Sequence, residues 1–212
     1  KMKRITILTI LLVTFLLNSH GQTLSEVVKS MPDNIIWGLT TEQKEEILAQ
    51  NTDSIVTVTG NSLYNKYTRN NISDTFISIQ TSDAGNVQIK LLPLINNTNI
   101  ICVVKTVCKD FCDSNISFYT QDWTEIKDKS LFPTPELSWF IRSNIDKHSD
   151  EYKNAIAVVD ILPIKLSLSP NSNSIQIELN IEKYLDEKNY TTLTAFLQDS
   201  PKELKWDKTK FE

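Results

Sequence analysis

Apolar residues recur at every second position on both sides of two short polar turns. Ile77 and Ile79 lead into Asp83-Ala84-Gly85-Asn86, and Val87, Ile89 and Leu91 lead out. Ile164, Leu166 and Leu168 lead into Pro170-Asn171-Ser172-Asn173, and Ile175, Ile177 and Leu179 lead out. A period of two puts one face of each segment in a core and the other towards solvent, the mark of antiparallel hairpins. Ile55, Val56 and Val58 predict a preceding strand. The apolar run Ile100 to Val107 predicts a longer one, with Ile116 to Thr120 pairing behind it. Ala155 to Ile161, Leu193 to Leu197 and Leu204 to Trp206 are also expected as strands.

Helical signals flank these strands. Leu24, Val27, Val28 and Met31 have helical spacing, Pro32 suits a first helical position, and Thr40 with Gln43 has the spacing of a capping box. Helices are predicted near 23–31, 33–38 and 41–50. A further helix is predicted from Pro135, capped by Thr134, with Leu137, Phe140, Ile141 and Ile145 on one face. The order is helices, meander, helix, meander, which is an α+β chain. Val87-Gln88-Ile89-Lys90-Leu91 is similar to Ile175-Gln176-Ile177-Glu178-Leu179. That similarity raises an internal duplication, with halves at 22–131 and 132–212. The element order is similar to tandem β-lactamase-inhibitor-like or PepSY-like envelope modules.

Compartment is read from the first residues. Lys1, Lys3 and Arg4 precede an apolar stretch from Ile5 to Leu17, and Ser19 and Gly21 supply small residues for cleavage after Gly21. This is the three-part pattern of a signal peptide over 1–21. A helix over 5–17 spans roughly 20 Å at ~1.5 Å per residue, short of a ~30 Å hydrocarbon core. The mature chain is therefore expected outside the cytoplasm, in the periplasm or at the cell surface, with no membrane span.

Charge and glycine content exclude function classes. The whole chain carries 22 Lys and Arg against 26 Asp and Glu, and loss of the basic leader makes it more acidic. Arg69 and Arg142 are the only arginines beyond the leader, so no basic stripe awaits a phosphate backbone. Gly38, Gly60 and Gly85 stand alone, so no glycine-rich phosphate cradle exists.

Candidate chemistry is sparse. Cys108 and Cys112 flank Lys109-Asp110-Phe111 at a predicted hairpin tip and are expected to form a disulfide in an oxidising compartment. Cys102 lies ~20 Å back along the strand at ~3.3 Å per residue, too far to join them, and is read as a core thiol. His148 is read at a helix C-terminus rather than as a metal ligand. Asp110, Asp113 and Asp122 crowd the predicted tip as a solvated loop or a calcium site, without EF-hand spacing. Neither a metal nor a cofactor is expected. No Gly-x-Ser-x-Gly elbow is present, and His148 has no evident nucleophile beside it. Asp53-Ser54-Ile55 matches a short O-glycosylation acceptor at Ser54. Trp37, Trp123, Trp139 and Trp206 are read as packing residues, with a sugar platform as the alternative.

Met31-Pro32-Asp33, Leu91-Leu92-Pro93-Leu94, the stretch Ile101 to Cys108, Cys112-Asp113-Ser114 and Phe118-Tyr119 resemble a secreted Bacteroidales family, the domain of unknown function numbered 3256. The resemblance spans most of the mature chain and is most specific from Leu91 to Trp123. Gln43-Lys44-Glu45-Glu46 stands where family members often carry an Arg-x-Asp-Met-like segment. The resemblance implies export and an α+β fold, and it assigns no activity. Export without a catalytic signature points to a non-catalytic binding module for a protein or peptide of the envelope. The alternatives are a hydrolase of envelope or dietary glycans working through two carboxylates, and a structural or assembly component of the cell surface.

Overall fold

The computed structural model describes residues 22–49, 56–59 and 66–212. The leader and Ser54 lie outside the described residues. Helix α1 (Leu24–Lys29) and helix α2 (Thr41–Leu48) open the described chain. Both begin with a complete capping box, Thr23 with Glu26 and Thr40 with Gln43, so each satisfies two otherwise orphan amides.

Seven strands follow in an uninterrupted antiparallel meander: β1 (Val56–Thr59), β2 (Lys66–Ile72), β3 (Phe76–Gln80), β4 (Gly85–Pro93), β5 (Asn99–Cys108), β6 (Cys112–Tyr119) and β7 (Glu125–Ile126). Three more, β8 (Ile164–Leu168), β9 (Ser174–Leu179) and β10 (Lys202–Lys205), form a second sheet in the order β10-β9-β8. Helix α3 (Asp150–Ala157) precedes β8, and helix α4 (Glu187–Thr194) lies between β9 and β10. Both predicted hairpins are present, with Ile77 opposite Ile89 and Leu166 opposite Ile177. Gly85 closes the first turn, where a Cβ would come within 2.7 Å of Thr81 Oγ1 and 2.9 Å of Ser82 Oγ.

The large sheet is covered on both faces. Ile77, Ile79, Val87, Ile89, Leu91, Ile101 and Val103 pack under α1, α2 and the loop carrying Met31, Ile35, Ile36 and Leu39. Phe76, Leu92, Ile100, Cys102, Val104 and Phe118 pack against Leu166, Leu168, Ile175, Ile177, Leu204, Trp206 and Phe211 of the small sheet and its C-terminal extension. Double coverage is why Ile100 to Val104 is an unbroken apolar run, since both sides of that strand are interior. The small sheet also engages the large one through its outer edge. Ile164 N donates to Asp113 Oδ1 (3.2 Å), Leu166 N to Ser114 Oγ (3.0 Å) and Leu168 N to Gln88 Oε1 (2.7 Å). Side chains of one sheet thus satisfy the edge donors of the other, which would otherwise stay open to pairing.

Four sequence expectations are corrected. Residues 33–38 form turns rather than a helix, and the helix expected from Pro135 is only a 3-10 turn, Leu137–Phe140. The strand expected over Ala155 to Ile161 is the end of α3, which stops at Ala157, and the irregular segment 158–161. Ser149 caps Tyr152 N, and Asp150 and Glu151 sit at the positive end of the helix dipole, so a complete start signal outweighs the apolar run. The strand expected over Leu193 to Leu197 is the end of α4, followed by one bridge from Leu197 to Ile141.

Candidate functional site

Cys108 and Cys112 face each other in the β5–β6 register, with Cα atoms 4.0 Å apart, and a disulfide joins them. Cys112 N also donates to Asn180 Oδ1, so the tip is tied to the loop after β9. Cys102 is fully buried between the two sheets. Burial pushes its thiol well above the usual range, and the cross-strand neighbour Lys90 opposes that push only in part.

His148 does not end a helix. It stands just before the cap of α3, and its main-chain N donates to Asp146 Oδ1 at 2.9 Å. The three aspartates do not meet. Asp110 and Asp113 lie at the β5–β6 tip, but Asp122 lies beyond the far end of β6. There its carboxylate accepts from Thr120 Oγ1 and Thr124 N, which hold it below the usual carboxylate range. The tryptophans do not line one platform. Trp206 Nε1 donates to Pro93 O at 2.7 Å, and Trp123 Nε1 donates to Val27 O at 3.1 Å. Trp139 is half-buried against the inter-sheet core, while Trp37 is 82% exposed. Two carboxylates, Glu178 and Asp199, share a pocket of about 430 Å³ with Tyr190 and Gln198. Glu178 is paired with Lys165 at 3.4 Å and Asp199 with Arg142 at 3.2 Å.

A groove of about 570 Å³ runs along the free side of β6. Its size is that of an ordinary ligand site. Ile116, Phe118, Ile126, Phe132, Ile164 and Leu166 give it an apolar lining, and Glu125, Lys127 and Lys129 line it beside them. Among the described residues neither lysine has a carboxylate within ion-pair distance. Asp128 between them is exposed and caps the 3-10 turn that follows, accepting from Ser130 N (2.9 Å) and Ser130 Oγ (2.7 Å). Those two bonds hold its carboxyl below the usual range.

The groove exists because β7 is short. It pairs with β6 only at Phe118↔Ile126 and Tyr119↔Glu125, then leaves towards Leu131, which is buried in the inter-sheet core. None of these groove residues stands out in the sequence. The available signal was the polar stretch Lys127 to Ser130, which interrupts a strand after two residues and leaves its neighbour uncovered.

A family model described as "Protein of unknown function (DUF3256)" matches residues 16–211. The fold is similar to a solved domain of an uncharacterized protein from Porphyromonas gingivalis W83. The TM-score is 0.78 at 25% identity, over 89% of this chain and 96% of that one. No curated protein matches the chain.

Proposed function

The chain belongs to the DUF3256 family, whose function is unknown, and on that premise we propose that it is an exported, non-catalytic binding module holding a protein partner in the groove along β6. The observation that carries this reading is the groove itself: a trough with an apolar floor, flanked by Glu125, Lys127, Asp128 and Lys129, built on sheet elements. Export is supported by the basic, apolar and small-residue pattern over 1–21. The two similar hairpins at β3–β4 and β8–β9 fit a duplicated helix-and-meander unit as the origin of such a module.

Photo-crosslinking in the native cell tests the reading. A benzophenone side chain replacing Lys127 on the rim should capture a defined envelope protein. The same group replacing Glu46, on the helical layer across the large sheet, should not. Equal capture from both positions overturns the reading. So does turnover of an envelope glycan by purified protein that survives blocking the groove.

A further inference from the structure

The free side of β6 presents main chain as well as apolar surface. Thr120 N donates to Thr124 O in the β6–β7 turn, and Cys112 N donates to Asn180 Oδ1, so even-numbered residues of β6 point their backbone away from β5. Odd-numbered residues point towards β5, as Phe111 does just outside the strand when its carbonyl accepts from Lys109 N. Phe118 is taken by β7 and Cys112 by Asn180. Ser114 and Ile116 lie between, and among the described residues nothing pairs with the outward N–H and C=O of either. Both residues line the groove.

We infer that the groove takes an extended peptide segment, which adds to β6 as a strand in the position β7 vacates. This rests on the binding reading above and names its partner's form. An open edge of main-chain donors and acceptors is matched by another extended backbone, the basis of strand addition. The opening between Asn180 and β7 admits roughly four residues at ~3.3 Å each. The register is already begun by Phe118↔Ile126 and Tyr119↔Glu125, so the incoming strand continues an interface the chain itself uses. Alternate side chains of that strand meet Ile116, Phe132, Ile164 and Leu166, while those between them face outward beside Asn115 and Ser117. The segment is therefore apolar at every second position.

The probes are fluorescein-labelled octapeptides with Ile, Val or Phe at alternate positions and Ser or Thr between. Anisotropy should show saturable binding that is lost when the alternate apolar residues are replaced by Ser. N-methylating alternate peptide amides on the paired side should weaken binding about tenfold for each main-chain hydrogen bond lost. Methylating the other set should leave it unchanged. Hydrogen exchange at the Ser114 and Ile116 amides should slow when peptide is added. Ile116→Pro removes one open donor at an edge position that tolerates proline, and it should lose binding while keeping the native circular dichroism. Should that variant misfold, the methylated peptides on unaltered protein still decide.

Equal effects of the two methylation sets overturn the inference, as does unchanged exchange at Ser114 and Ile116 in saturated complex. Protection of those amides that rises with protein concentration and no peptide assigns the edge to a second copy, and also overturns it. A partner captured from position 127 together with neutral methylation would leave the binding reading standing and this inference refuted.

Discussion

Lys90 shows how one residue records the double coverage of the sheet. It is 1% exposed between the sheets, opposite Cys102 across β4 and β5. Among the described residues its ammonium reaches only Thr75 Oγ1 (3.4 Å) and Pro170 O (3.5 Å), with the Phe76 ring centroid at 5.8 Å. Desolvation lowers its pKa, and the partial opposition of Cys102 does not restore it. A group that binds its proton more weakly when folded makes stability rise with pH, because the unfolded chain then holds more protons. Lys90→Met is therefore expected to raise stability by about 1 kcal/mol at neutral pH, since an apolar side chain of similar length avoids desolvating a charge. The gap to the native protein should narrow as pH climbs from the depressed pKa towards about 10.4, the usual lysine value. Urea midpoints at several pH values check both the sign and the trend. The sequence could not mark Lys90 as interior. In an alternating strand a lysine reads as solvent-facing until a second sheet is known to lie over it.

Among elements, caps and hairpins were legible because their signals are local. Thr40 and Gln43 need only the correct spacing, and both bonds form, Thr40 N to Gln43 Oε1 at 2.8 Å and Gln43 N to Thr40 Oγ1 at 3.3 Å. Thr40→Ala should cost about 1 kcal/mol, read from a chemical-denaturation midpoint. The Cys108–Cys112 staple closes a loop of similarly local origin. Replacing both with serine should cost about 1–3 kcal/mol and leave the amide spectrum of the meander unchanged, because the β5–β6 ladder and the Asn180 contact hold the tip independently. Elements were misread where an apolar run had to be assigned without periodicity. Ala155 to Ile161 and Leu193 to Leu197 fit a buried strand or a helix end equally well. Ser149 with Asp150 and Glu151, and Asp186 with Glu187, were the start signals that decide it, each cap accepting from the amide three residues on. The groove was not legible at all, since it is a consequence of where β7 stops.

At the scale of the molecule, the halves expected at 22–131 and 132–212 share one core. The face of the large sheet that carries Leu92, Ile100, Cys102, Val104 and Phe118 is buried mainly by residues from the later part of the chain, Trp206 and Phe211 among them, with Leu131 beside them. Phe118, Trp206 and Phe211 form one aromatic cluster, with ring centroids 5.3–6.4 Å apart, and Trp206 Nε1 reaches back to Pro93 O across the sheet junction. Removing residues 132–212 would therefore expose a contiguous apolar face of a sheet whose other face is already packed, the kind of surface that drives association. Residues 22–131 produced alone should bind a hydrophobic dye and aggregate. Co-expression with residues 132–212 should restore a soluble complex with the thermal transition of the intact chain. A monomeric, dye-silent 22–131 fragment with a cooperative transition of its own would show that the helical layer alone stabilises the seven-stranded sheet. The β6 edge could then be probed without Phe132, Ile164 and Leu166, which form the other wall of the groove.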